Sequence, residues 1–197
     1  MLRFTFPQSK ESRIQIDLAR RVGGTAIQQY VRKVDDYSIQ GWMLCAPEGG
    51  GWGDGDGKAD YTVYFYARFD KPLKKYGIWS AEIPDNWTRK REDVQSIHYQ
   101  NRIAEAKGWP GKNEMEGKHL GVFSEFETRQ GEQVNLQVGI SFVDMQGAEN
   151  NFKKEIAGKN FDRVRREARA MWNTQLSKIA LKGGTEDQKT IFYTSLY

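Results

Sequence analysis

The sequence predicts a mainly β chain, an antiparallel sandwich over residues 1–143 followed by linker helices over 144–197. Two alternating runs and one change of period carry this reading. Tyr61, Val63, Phe65, Ala67 and Phe69 alternate with Thr62, Tyr64, Tyr66, Arg68 and Asp70, and Val134, Leu136, Val138, Ile140 and Phe142 alternate with Asn135, Gln137, Gly139 and Ser141. A period of two marks a strand with one dry face and one wet face. After residue 143 the apolar spacing changes to steps of three and four, the period of a helix.

The first strands are shorter or weaker. Ile14–Leu18, Ala26–Val34, Tyr37–Cys45 and His119–Thr128 read as strands, and Gln130-Gly131 as the turn that joins the last of these to the run from Val134. Strands that alternate and are linked by short turns pack as antiparallel sheets in a sandwich. Between them lie three irregular stretches, 46–60, 82–96 and 104–118. Loops of such length are commonly functional.

In the helical part, Ala148, Phe152 and Ile156 mark a short helix. Phe161, Val164, Ala168, Trp172, Leu176 and Ile179 mark a longer one, with Asn160 as N-cap and Gly183-Gly184 as the stop. That spacing predicts roughly 21 residues and about 30 Å. Thr185 with Gln188 forms a capping box, and Glu186 and Asp187 suit the positive end of a new helix. Its apolar face, Ile191, Phe192 and Leu196, has no partner before Tyr197, so the reading expects the chain to continue into whatever covers it.

Composition narrows the function classes. Hydrophobic residues make up 38% and charged residues 28%, and no apolar run approaches the roughly 18 residues of a membrane span. Cys45 is the only cysteine, which excludes an internal disulfide and a cysteine-based metal cluster. The net charge of +4 lies in Lys153–Arg169, which holds seven basic and three acidic residues. A run of this kind reads as the solvated face of a helix, with a nucleic-acid site as the competing reading.

No catalytic constellation is legible. Glu125 and Glu127 share one face of a strand, as a paired acid and base could, although nothing else distinguishes them from a solvated face. His98 and His119 are the two histidines, and neither belongs to a zinc or nucleophile motif. Gly53-Asp54-Gly55-Asp56-Gly57 places two aspartates in alternation, but Ala59 and Phe65 stand where a calcium loop from Asp54 needs Gly and Glu. Asp54 and Asp56 are thus weak metal candidates. Trp52, Trp87 and Trp109 fall in the irregular stretches, where an indole can stack on the C–H face of a sugar or simply pack beneath its own loop. Asn86-Trp87-Thr88 is also a glycosylation sequon.

Four segments resemble, in order, the family-92 glycoside hydrolases: VYFYARFDKPLKKYG from Val63, VGISFVDMQGAENNF from Val138, FDRVRREARAMW from Phe161 and TEDQKTIFYTSLY from Thr185. The resemblance implies an inverting, calcium-dependent exo-α-mannosidase with an N-terminal supersandwich of the mutarotase-like kind, a helical linker and a large (α/α)6 catalytic domain. It implies that the catalytic carboxylates and calcium ligands lie in the helical domain, so that this chain holds no catalytic residue. Arg3-Phe4-Thr5-Phe6-Pro7 resembles a stretch inside the sandwich, which leaves its early strands missing. The implied partners are the catalytic domain of the same polypeptide and a mannose-containing glycan, without nucleic acid. The implied location is secreted, periplasmic or at the cell surface. The alternative is a carbohydrate-binding sandwich without catalysis.

Overall fold

The computed structural model of the chain describes residues 1–21, 24–45, 61–84 and 96–197. The chain forms two compact units, Met1–Ala157 and Gly158–Tyr197.

The first unit holds twelve described strands: β1 (Leu2–Phe6), β2 (Ser9–Asp17), β3 (Arg20–Arg21), β4 (Gly24–Thr25), β5 (Gln28–Lys33), β6 (Ser38–Cys45), β7 (Tyr61–Phe69), β8 (Gly77–Ser80), β9 (Lys107–Pro110), β10 (Glu114–Gly117), β11 (Leu120–Thr128) and β12 (Glu132–Ser141). One sheet runs β1-β12-β7-β6-β5-β10, a second runs β2-β11-β8-β9, and β3-β4 form a small ribbon. All pairings are antiparallel, as in Leu2 opposite Leu136 and Phe65 opposite Gly41. Phe65, Ala67 and Phe69 from β7, Val134 and Leu136 from β12, Val31 and Ile39 pack with Ile14, Ile78, Val122 and Phe126 of the facing sheet. The alternation holds over β7 and the first half of β12, with one apolar face of each sheet turned inward, but Ile140 and Phe142, read on the dry face, are 51% and 65% exposed, because the following helix covers the other face of β12 at Gly139.

Gly131 closes the β11–β12 turn at φ +75°, a left-handed conformation that a side chain disfavours, and its N–H donates to the Phe6 carbonyl at 2.9 Å. The outer face of the large sheet carries a helix, α2 (Met145–Glu155), chain-ordered after α1 (Ile97–Ala104). Tyr66 and Phe152 meet with ring centroids 5.0 Å apart, and Ala148 is fully buried beneath them. Gln137 Nε2 donates to the Ile156 carbonyl at 3.0 Å, which fixes the end of α2 to β12.

One of the irregular stretches needs correction. The stretch 104–118 contains β9 and β10, and β8 precedes it. All four residues of β9 are exposed and three of the four in β8 are buried, so neither shows alternation. The helix α1 lies between the stretches 82–96 and 104–118, where the sequence marks no element because only Tyr99 and Ile103 turn inward; its cap is Ser96, whose Oγ accepts from the Tyr99 N–H at 3.2 Å. The stretch 46–60 and residues 85–95 lie outside the described residues.

In the second unit α3 (Phe161–Leu176) has 16 residues, fewer than the spacing predicts. The Thr174 hydroxyl donates to the Ala170 carbonyl and Ser177 to Thr174, while Lys178 and Ile179 donate to carbonyls three residues back. These bonds tighten the last turn out of α geometry although Ile179 still fits the apolar spacing. Asn160 caps α3 through the Arg163 N–H at 2.8 Å, and α4 (Glu186–Leu196) opens with the expected capping box. Trp172 and Tyr197 meet as a tilted ring pair with centroids 4.2 Å apart, and the Tyr193 hydroxyl donates to the Ile179 carbonyl at 3.0 Å. Neither helix has a buried residue.

Candidate functional site

Of the three tryptophans marked as sugar contacts, Trp109 is the one the structure describes. Trp52, Trp87, the sequon at Asn86 and the weak metal candidates Asp54 and Asp56 lie outside the described residues. Trp109 stands on β9, an edge strand, and is 40% exposed. Its Nε1 donates to Ser80 Oγ at 2.9 Å, and the ammonium of Lys112 lies 5.2 Å from the ring centroid. The indole thus projects from a strand rather than a loop, with its polar edge already bonded.

Beside it is a cleft of about 140 Å³ lined by Ser80, Glu82, Arg102, Glu105, Lys107 and Trp109. Ser80 on β8, Lys107 and Trp109 on β9 and Arg102 on α1 supply four of them, Glu105 caps the end of α1, and Glu82 follows β8. Arg102 Nη1 lies 3.6 Å from Glu105 Oε2, and Lys107 Nζ lies 3.7 Å from Glu82 Oε1. Both pairs are beyond hydrogen-bonding distance.

Helix α1 is held against the small sheet by a buried polar chain. The Tyr99 hydroxyl lies 2.9 Å from His119 Nδ1, and His119 Nε2 lies 3.3 Å from Asp17 Oδ1. One ring nitrogen faces the Tyr99 hydroxyl and the other the Asp17 carboxylate, so both nitrogens of the buried ring have partners. Burial alone would raise the Asp17 carboxyl, but the His119 hydrogen bond and charge, the Ala19 amide and Arg20 together hold it below its usual range. His119 has no exposed surface and both nitrogens are engaged, so it cannot reach a substrate. His98 is exposed on α1.

The paired carboxylates take the plainer role. Glu125 is bound by the Arg13 guanidinium, which holds its carboxyl below the usual range, and Glu127 is exposed. A second hollow, of about 1170 Å³, lies at the β11–β12 turn and is lined by polar residues such as Lys10, Lys71, Glu127 and Glu132. It contains no aromatic ring, and Lys71 is spent on Glu132 and the Glu127 carbonyl.

Three of the seven cations of the basic run are paired with carboxylates on α2 and α3. Glu167 receives both Lys159 at 2.8 Å and Arg163 at 2.7 Å, and Lys153 pairs with Glu149 at 2.7 Å. Among the described residues no group of three or more His, Cys, Asp or Glu side chains could hold a metal ion, and no helix is long and apolar enough to cross a membrane.

Sequence reasoning missed the Tyr99–His119–Asp17 chain, whose members lie on three elements. The one signal available was a histidine at the start of an apolar strand.

The geometry matches known proteins over its whole length. A family GH92 alpha-mannosidase from Bacteroides thetaiotaomicron superposes with a TM-score of 0.73 and 28% identity, over 98% of this chain and 22% of that one. A family GH92 inverting mannosidase from the same bacterium gives 0.71 at 18% identity, over 99% of this chain and 22% of that one, and at that identity the likeness concerns the fold alone. An uncharacterized secreted glycosidase of Arthroderma benhamiae is 41% identical over 69 residues, 32% of this chain and 9% of its own length. The chain therefore spans less than a quarter of each of these relatives. Residues 147–197 match the glycosyl hydrolase family 92 catalytic domain. Since residues 1–141 match the family's N-terminal domain and the sandwich has the fold of its solved members, the chain belongs to glycosyl hydrolase family 92.

Proposed function

We propose that this chain is the N-terminal β-sandwich, residues 1–143, with the following helices, residues 144–197, of an inverting exo-α-mannosidase. The observation that carries the proposal is the 28% identity to an alpha-mannosidase of the same fold over 98% of the chain. In this reading the sandwich packs on a helical catalytic domain and helps shape its pocket, because pockets favour domain interfaces. The segment itself is non-catalytic. In support, Glu125 is committed to Arg13 and His119 to Tyr99 and Asp17, so the carboxylate and imidazole best placed by sequence are already bonded.

Calcium is proposed for the helical domain. The described residues do not fit a calcium site. The substrate is a glycan with terminal α-linked mannose, met outside the cytoplasm; the secreted glycosidase among the relatives supports that location. Nucleic acid is not a proposed partner, since Glu167 absorbs two of the cations of the basic run.

The test is to express the longer polypeptide that contains this segment and follow an α-linked mannobiose by NMR. Release of β-mannose as the first product, lost on chelation of calcium, is expected. The 197-residue chain alone should release no mannose. No release by the longer polypeptide, or α-mannose as first product, overturns the reading.

The second reading, a carbohydrate-binding sandwich without catalysis, is favoured by one observation, the exposed Trp109 beside a polar cleft.

A further inference from the structure

The cleft between α1, β8 and β9 is built around one aromatic ring with hydrogen-bonding groups on its rim. Trp109 is fixed at two points, by Ser80 Oγ on its N–H and by Lys112 against the ring, so it is held in place at little further entropic cost. Its polar edge is satisfied while 40% of its surface remains exposed. What it still offers is an apolar ring surface. The rim carries Glu82 and Glu105 as acceptors and Arg102 and Lys107 as donors, and their mutual distances of 3.6 and 3.7 Å leave hydrogen-bonding capacity unused.

We propose that this cleft is a secondary binding site for a single pyranose ring of a glycan, stacked on Trp109 and bonded through adjacent hydroxyls to the Glu82, Glu105, Arg102 and Lys107 side chains. A pyranose has the two chemistries the cleft supplies. Its axial C–H groups form an apolar face that an indole accepts, and its equatorial hydroxyls each donate and accept. A fatty chain would leave the spare hydrogen-bonding capacity of the two ion pairs unused, and a phosphate would meet two carboxylates at the rim. The volume, about 140 Å³, takes one ring rather than an oligosaccharide. The site holds a glycan and does no chemistry on it.

The choice of mannose as the sugar rests on the proposed function; the site itself does not. The test uses the whole 197-residue chain labelled with ¹⁵N in its tryptophans and titrated with methyl α-D-mannopyranoside, with methyl α-D-glucopyranoside in parallel. The Trp109 indole resonance, assigned by its absence in Trp109→Phe, should shift and saturate with a dissociation constant on the order of millimolar, as befits one small ligand. Glu82→Gln combined with Glu105→Gln should weaken binding about ten-fold while leaving the other indole resonances in place. No shift of the Trp109 resonance with either sugar overturns the site. So does undiminished binding by Trp109→Ala that retains the wild-type spectrum elsewhere. A shift here with no mannose release by the longer polypeptide removes the mannosidase reading and keeps the site; release without a shift does the reverse.

Discussion

The hydroxyl of Tyr99 lies 2.9 Å from Nδ1 of His119, and neither side chain has any exposed surface. This bond ties helix α1, which carries Arg102 and Glu105 to the rim of the cleft, to the first residue before β11. Removing the hydroxyl leaves a buried ring nitrogen without its partner. Tyr99→Phe should therefore cost about 1–3 kcal/mol in a urea titration. Amide exchange should speed up first in Ile97–Ala104. Protection unchanged in α1 would mean that the apolar contacts of Tyr99 with Ala81 and Ile83 hold the helix unaided.

Asp17 gives the same chain a pH dependence. Its carboxyl is held below the ordinary value of 3.8, so the folded state favours the carboxylate and the unfolded state binds the proton more readily. The stability this supplies is complete above the unfolded value and is lost as the pH falls through the lower folded one. The groups that face it are His119, Arg20 at 3.6 Å and the Ala19 amide. Asp17→Asn should be less stable at neutral pH and should lose less stability than the wild type on going from about pH 5 to about pH 2. Parallel thermal melts of the two proteins measure this, and an identical acid slope would remove Asp17 from the account.

Gly139 sits under α2. A Cβ there would lie 2.4 Å from the Ala148 carbonyl oxygen and 2.7 Å from Phe152 Cβ, so the helix has to lift before alanine fits. Gly139→Ala should cost about 1–3 kcal/mol through overpacking, with the Phe152 ring resonances shifted. A midpoint equal to wild type would show that α2 shifts freely on the sheet.

Glu125→Gln examines the carboxylate that the sequence singles out. Its partner is Arg13 across the β2–β11 ladder, and no acid or base role is assigned to it. In the longer polypeptide this change should leave kcat/KM on an α-mannoside within about two-fold of wild type. A loss of several orders of magnitude would place Glu125 in the chemistry.

The long alternating strands β7 and β12, the Gly131 turn, the Asn160 cap and the Thr185 capping box were all legible because each is a local rule written in adjacent residues. What escaped the sequence has no such local signature. The short strand β8 packs both faces and β9 packs neither, so periodicity is silent on both. The α3 end depends on hydroxyl-to-carbonyl bonds that compete with an apolar spacing still in step. Trp109 could be marked as an exposed aromatic, but Ser80, Arg102 and Lys107 reach it only through the pairing of β8 with β9 and the docking of α1. The Tyr99–His119–Asp17 chain likewise joins residues that are 20 and 102 positions apart.

Cys45, at the end of β6, is 1% exposed and is the one thiol of the chain. In an oxidising compartment the sequence offers it no second cysteine for a disulfide and, while the sandwich is closed, an external thiol cannot reach it. The covalent structure of the chain is thus the same whether it folds in a reducing or an oxidising space. The sealed thiol also acts as a clock: a soluble alkylating reagent can reach it only when β6 opens, so the labelling rate under native conditions counts those openings one molecule at a time.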